Sequence, residues 1–272
     1  MDELVTTKWL AEHLGEPDLK IVDASFHLPT SERDARAEFL EAHIPGAVFM
    51  DIKEIADPEK LAPHMLPPAS QAGPMLGALG LKRDDRIVVY DASPFHSAAR
   101  GWFTLRHYGA QNVAILDGGL PKWQRERRAI ESGKPVIVPT TFDAVEGAKV
   151  VDKQEVMASR LIVDARGSER FKGSTPEPRE GMAAGHIPGA KNVPYASLYE
   201  EDGTYKTGAA LARAFEEAGV DPEKPFTATC GSGVTACGLI FAARLLGNRD
   251  TRLYDGSWAE WGADPATPKE KN

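Results

Sequence analysis

A chain of 272 residues is long for one domain and sufficient for two, each with a core of its own. A formal net charge of -8 argues against a nucleic acid or an anionic membrane surface as the main partner, since both require a basic field. Two cysteines are too few for a disulfide framework, and the most apolar stretch, Gly238 to Leu246, is too short to span a bilayer and carries Arg244. With an acidic start, Met1-Asp2-Glu3, and no apolar run after it, the expectation is a soluble, cytoplasmic protein in which the open question is whether one thiol is reactive.

In chain order, the run Ile21-Val22-Asp23-Ala24 is followed by the turn His43-Ile44-Pro45-Gly46-Ala47. A β-branched strand, Arg86 to Tyr90, ends at Asp91, and Leu116-Asp117-Gly118-Gly119 then precedes Trp123. The stretch 131–147, punctuated by Pro, Thr and Gly, reads as a linker. Beyond it the series returns. Ile162-Val163-Asp164-Ala165 leads to a charged loop, Arg166 to Glu180, which by composition is solvated surface. His186-Ile187-Pro188-Gly189-Ala190 comes next, then a helical pattern from Leu211 to Ala218. The strand Phe226 to Thr229 ends at Cys230, and Tyr254-Asp255-Gly256-Ser257 precedes Trp261. The matching landmarks lie 138 to 143 residues apart in unbroken order, which is a tandem duplication. Strands alternating with helical patterns predict an α/β fold: two tandem domains, 1–135 and 148–272, each a parallel sheet flanked by helices. His43 and His186 recur with their turns and are assigned to them, and Trp123 and Trp261 to the two cores. The halves differ where chemistry would sit, because Asp91 stands at the position equivalent to Cys230.

Cys230-Gly231-Ser232-Gly233-Val234-Thr235-Ala236 links that last strand to a helix whose apolar face is Val234, Cys237, Ile240, Phe241 and Leu245. Cys237 on this face is assigned to the core. Cys230, at a strand's carboxyl end before a glycine-containing loop and a helix N-terminus, faces free backbone N–H groups and the positive end of a helix dipole. Such surroundings stabilise a thiolate or a persulfide anion, and the glycines allow the amides to turn inward without side chains crowding the cradle.

The duplicated domains, the two H-I-P-G turns and the C-G-S-G-V-T-A loop resemble the tandem-domain rhodanese family, in its 3-mercaptopyruvate-using branch; the resemblance covers nearly the whole chain. The thiosulfate-using branch carries Arg-Lys after the cysteine, where this sequence has the neutral pair Gly231-Ser232. The resemblance implies a sulfurtransferase that moves sulfur through a Cys230 persulfide to a thiol or thioredoxin-like acceptor, with no metal or organic cofactor. It carries donor binding onto Arg170 and Arg179 and onto the loop residues Gly231, Gly233, Val234 and Thr235. Ser232 would bond the donor's carbonyl oxygen or deliver a proton. His64 matches a histidine that the family places across the domain cleft as a partner for that serine or the substrate. Relatives often have an acid eleven residues before this histidine; here Lys53 holds the place, with Asp51 near in sequence. The rival readings are a thiosulfate sulfurtransferase, a phosphatase of rhodanese type, and a non-catalytic persulfide carrier or redox module. The phosphatase is disfavoured because Thr235 and Ala236 stand where it needs an arginine.

Overall fold

The computed structural model describes residues 1–28 and 30–272, which form two compact units. One comprises Met1–Asp57, Leu66–Gly147 and Glu201–Thr204; the other comprises Pro58–Met65, Ala148–Glu200 and Tyr205–Asn272. Among the described residues no helix is long and apolar enough to cross a membrane.

In the first unit β1 (Leu4–Val5), β2 (Leu19–Asp23), β3 (Ala47–Phe49), β4 (Arg86–Tyr90) and β5 (Asn112–Leu116) form a parallel sheet in the order β1-β5-β4-β2-β3. Its helices are α1 (Thr7–His13), α2 (Ala35–Glu41), α3 (Ala69–Ala78), α4 (Ala98–His107) and α5 (Gly119–Arg125). The second unit repeats the plan with β6 (Val150–Val151), β7 (Ile162–Asp164), β8 (Lys191–Asn192), β9 (Phe226–Thr229) and β10 (Thr251–Tyr254), parallel in the order β6-β10-β9-β7-β8. Its helices are α6 (Lys153–Met157), α7 (Ser168–Lys172), α8 (Gly208–Glu216), α9 (Ala236–Leu245) and α10 (Ser257–Trp261). Strand for strand the two orders coincide, so the predicted duplication holds at the level of topology. Parallel strands need crossover connections, and the helices supply them while covering the sheets.

Each sheet has its own apolar core, in which Trp123 and Trp261 are buried. The histidines of the two repeated turns are also buried, and for the same reason. His43 Nδ1 pairs with the Phe39 carbonyl at 2.7 Å and its ring stacks on Phe39; His186 does the same with Phe171 at 2.8 Å. Each turn is closed by a carboxylate: Glu131 accepts the Gly46 N–H and Glu270 accepts the Gly189 N–H. The pair Glu131 and Glu270 is a further repeat landmark, set by contact with the turns and not by a shared local motif.

The segment 131–147 carries no regular element and belongs to the first unit, laid along α3. Gly77 makes room for it: a β-carbon there would stand 2.4 Å from the Thr140 carbonyl oxygen. The helix after Cys230 departs from the one-sided face read in the sequence, since every residue from Ala236 to Ala243 is buried. Small residues explain this. A β-carbon on Gly238 would be 3.5 Å from the Tyr199 hydroxyl, so the outer face is roofed by the 3₁₀ turn Tyr195–Leu198 and the residue after it.

Candidate active site

β9 lies between β7 and β10, and its carboxyl end delivers Cys230 to the rim of the second sheet. The loop that follows is closed from one side by α10. The Trp258 N–H donates to the Cys230 carbonyl and the Ala259 N–H to the Gly231 carbonyl, both at 2.9 Å. The N–H groups of Cys230 and Gly233 donate to the Ser257 hydroxyl. Gly233 adopts φ +76°, which a side chain would resist, and so turns the loop into α9. Among the described residues, the amides of Gly231, Ser232, Val234, Thr235 and Ala236 have no hydrogen-bond acceptor and remain available to an anion. Cys230 and Ser232 are largely buried there, as is Val234.

Cys237 sits one helical turn along, fully buried, with its thiol donating to the Gly233 carbonyl at 3.2 Å. It packs beneath the loop, in agreement with its sequence assignment. Cys237→Ala is therefore expected to keep turnover within about twofold of the parent and to cost about 1 kcal/mol of stability. Parallel kinetics and urea unfolding check this, and a large loss of rate in the folded variant would contradict it.

The stretch Arg166 to Glu180 is solvated at Gly167, Glu169, Lys172 and Glu180, as its composition suggests, but it also buries charged side chains. Arg166 has only 1% of its side chain exposed. Its guanidinium forks onto Asp164 (3.0 and 2.7 Å), donates to Glu177 at 2.7 Å and to the Gly185 carbonyl at 2.8 Å, and lies over the Trp258 ring. Burial would lower its pKa, but Asp164 and Glu177 outweigh burial and raise it. Glu177, equally buried, reaches Arg170 with its second oxygen at 2.5 Å. Arg170 in turn stands against the cysteine loop, its Nη2 only 3.2 Å from where a β-carbon on Gly231 would be. Its Nε is buried without a partner among the described residues. Arg179 is half-buried; burial and the nearby positive charge of Arg170 lower its pKa, while Cys230 and Glu177 act the other way.

Arg166 and Arg170 thus share two carboxylates, Asp164 and Glu177, and Arg179, which feels the charges of Arg170 and Glu177, adds a third guanidinium to the group. A donor carboxylate would complete the set, and guanidinium is the group that binds one in a planar, two-point manner. Arg166 and Glu177 escaped functional assignment from sequence, although both lie in the charged loop. Tyr195 also feels Arg170: burial raises its phenol pKa and Arg170 lowers it.

His64 belongs to the segment Pro58–Met65, which is part of the same compact unit as Cys230. It is buried, with φ +66°. Asp51, the acid nearest in sequence, belongs to the first unit, where it caps the Lys53 N–H at 2.9 Å and pairs with Arg36. Lys53 lies over the Phe26 ring.

The equivalent loop of the first unit carries a carboxyl group, Asp91, where the second carries the thiol. Asp91 accepts the N–H groups of Ser93 and Ala98 at 2.9 and 2.6 Å, and burial, with the neighbouring Asp23, raises its pKa to about 7. In the first loop the amides of Ser93 and Ala98 are taken by a side chain of the loop itself, whereas in the second the amides of Gly231, Ser232, Val234, Thr235 and Ala236 are not.

Fold and site together define a tandem α/β protein in which one domain carries a thiol in the loop after its central strand and the other carries a carboxyl group at the equivalent position. The model of the Rhodanese-like domain matches residues 6–126 and again 146–264, and the chain belongs to the rhodanese family. It is 42% identical to the 3-mercaptopyruvate sulfurtransferase of Rattus norvegicus over 270 residues, covering 95% of this chain and 91% of that one. It is 38% identical to the thiosulfate sulfurtransferase of the same organism over 271 residues, covering 95% and 91%. The crystal structure of SseA from Escherichia coli, a 3-mercaptopyruvate sulfotransferase of rhodanese fold, superimposes with a TM-score of 0.86 at 39% identity, covering 95% of this chain and 99% of that one.

Proposed function

We propose that this chain is a sulfurtransferase that takes sulfur from 3-mercaptopyruvate through a persulfide on Cys230. The observation that carries the reading is the guanidinium group beside a neutral cysteine loop: Arg170 lies against Gly231, and the loop itself has no cation. A carboxylate some bonds away from the attacked sulfur suits this layout. Thiosulfate, whose charge lies next to that sulfur, would gain more from cations within the loop.

The Cys230 thiolate attacks the donor's sulfur. The new S–S bond forms as the C–S bond breaks, and the electron pair leaves on carbon as the enolate of pyruvate, which takes up a proton. Backbone amides of Gly231, Gly233, Val234 and Thr235 line the loop, and those of Gly231, Val234 and Thr235 are the donors free to meet the anionic persulfide. Ser232 bonds the keto oxygen or relays the proton, His64 assists it, and Arg170 and Arg179 hold the carboxylate. In the second step an acceptor thiolate, a small thiol or a thioredoxin-like protein, attacks the outer sulfur and Cys230 leaves as thiolate. Cysteines that form no disulfide fit a reducing compartment such as the cytoplasm.

The test is pyruvate release. The parent is expected to show higher kcat/KM with 3-mercaptopyruvate than with thiosulfate, and Arg170→Lys and Arg179→Lys each to raise the KM for 3-mercaptopyruvate about tenfold with the fold intact. A preference for thiosulfate would replace this reading with the second one, which the similarity to a thiosulfate sulfurtransferase favours. Persulfide formation without pyruvate turnover would leave only a carrier.

A further inference from the structure

The residue that holds the cysteine loop in shape comes from neither the loop nor its helix. Ser257, the first residue of α10, is completely buried. Its hydroxyl donates to the Tyr254 carbonyl at 2.8 Å, so the oxygen's lone pairs are left for the loop, where it accepts the Cys230 N–H at 3.2 Å and the Gly233 N–H at 3.0 Å. One oxygen atom therefore fastens the loop at both ends of Gly231-Ser232.

Ser257 does this from an unfavourable backbone. Its φ is +49°, a region that a β-carbon resists. The duplicated domain shows the unstrained alternative. Gly119 holds the equivalent place at φ +55°, and the bond from the Leu120 N–H to the Asp91 carbonyl matches that from the Trp258 N–H to the Cys230 carbonyl. In that first loop Pro94 stands opposite Gly233 and has no N–H to offer, and the Asp91 carboxylate draws the loop amides to itself. The serine, with its strain, occurs in the domain whose loop has a glycine N–H to be fastened and a thiol where the other has a carboxylate. Strain retained at a buried site next to reactive chemistry calls for a compensating role.

We infer that Ser257 is a positioning residue for the Cys230 nucleophile: it binds the two flanking amides so that the amides between and beyond them stay turned toward the sulfur. The inference rests on Cys230 as the reacting thiol but not on the identity of the donor. Without the hydroxyl, two buried N–H groups lose their acceptor and the loop relaxes to satisfy them, at the expense of the anion cradle.

Ser257→Gly, which installs the first domain's own residue and removes the strain, is the direct test. The readout is alkylation of Cys230 by iodoacetamide as a function of pH, located by peptide mass. The pH of half-maximal rate is expected to rise by about one unit, and persulfide formation at pH 7 to slow about tenfold. The donor KM should stay within about twofold, because the arginines are untouched. A purely structural serine would change the unfolding midpoint and leave the alkylation profile where it was. That result in folded Ser257→Gly overturns the inference. Should Ser257→Gly not fold, Ser257→Ala keeps the parent's backbone cost and lacks the hydroxyl; an unchanged profile there overturns it equally. Because alkylation needs no sulfur donor, failure of 3-mercaptopyruvate as substrate is read separately.

Discussion

Cys230→Ser is expected to fold as the parent does, to carry no transferable sulfur after exposure to 3-mercaptopyruvate, and to lose turnover by on the order of 10⁴-fold or more. Serine fills the space of the thiol, and the bonds that close the loop, donated by the Trp258 and Ala259 N–H groups and accepted by the Ser257 hydroxyl, involve only the backbone of residue 230 and its neighbours. What disappears is the sulfur nucleophile itself, which forms an S–S bond with the donor's sulfur and leaves again as thiolate; a serine hydroxyl forms no such bond. Cys237 is the internal control, since its thiol remains in the variant, buried and engaged with the Gly233 carbonyl. Intact-mass and peptide mass spectrometry after donor exposure decide the matter. Sulfur on Cys237, or turnover surviving in the variant, would remove Cys230 from the reaction.

Arg166→Met should destabilise the second unit by about 3–5 kcal/mol, the cost of leaving buried charge without its counter-ion. Asp164 and Glu177 are each 1% exposed, and both depend on the Arg166 guanidinium. Methionine preserves bulk and some contact with the Trp258 ring but offers no donor to either carboxylate or to the Gly185 carbonyl. The consequence extends to the donor site, because Glu177 also holds Arg170. With Arg166 gone, Glu177 keeps only its bond to Arg170, which ties that guanidinium more fully to the carboxylate, so the folded fraction is expected to bind 3-mercaptopyruvate less well. Urea unfolding measures the first effect and the donor KM the second. A loss of less than about 1 kcal/mol would mean that Asp164 and Glu177 find other partners and that the network is not what supports Arg170.

The architecture was open to sequence reading because the chain states it twice. The strand at Ile162, the turn at His186 and the aspartate-glycine turn before Trp261 each repeat an earlier landmark at nearly constant separation. Repeated local patterns of strand and helix admit few arrangements other than two parallel sheets with crossover helices. The asymmetry between Asp91 and Cys230 was visible for the same reason, and with it the side of the molecule on which a thiol could react. Three features were beyond such a reading. Arg166 looks like its charged neighbours until the carboxylates of Asp164 and Glu177, one on β7 and the other eleven residues on, close around it. Glu131 and Glu270 act as a repeat only because each meets a turn far away in sequence. Ser257 could be matched to Gly119 by position, but its use of one hydroxyl to fasten two loop amides depends on β9 and β10 lying side by side. Periodicity and repetition are local properties, carried by spacing along the chain. Charge pairing and hydrogen bonding between distant segments depend on approach to within about 3 Å, which only the folded sheet imposes.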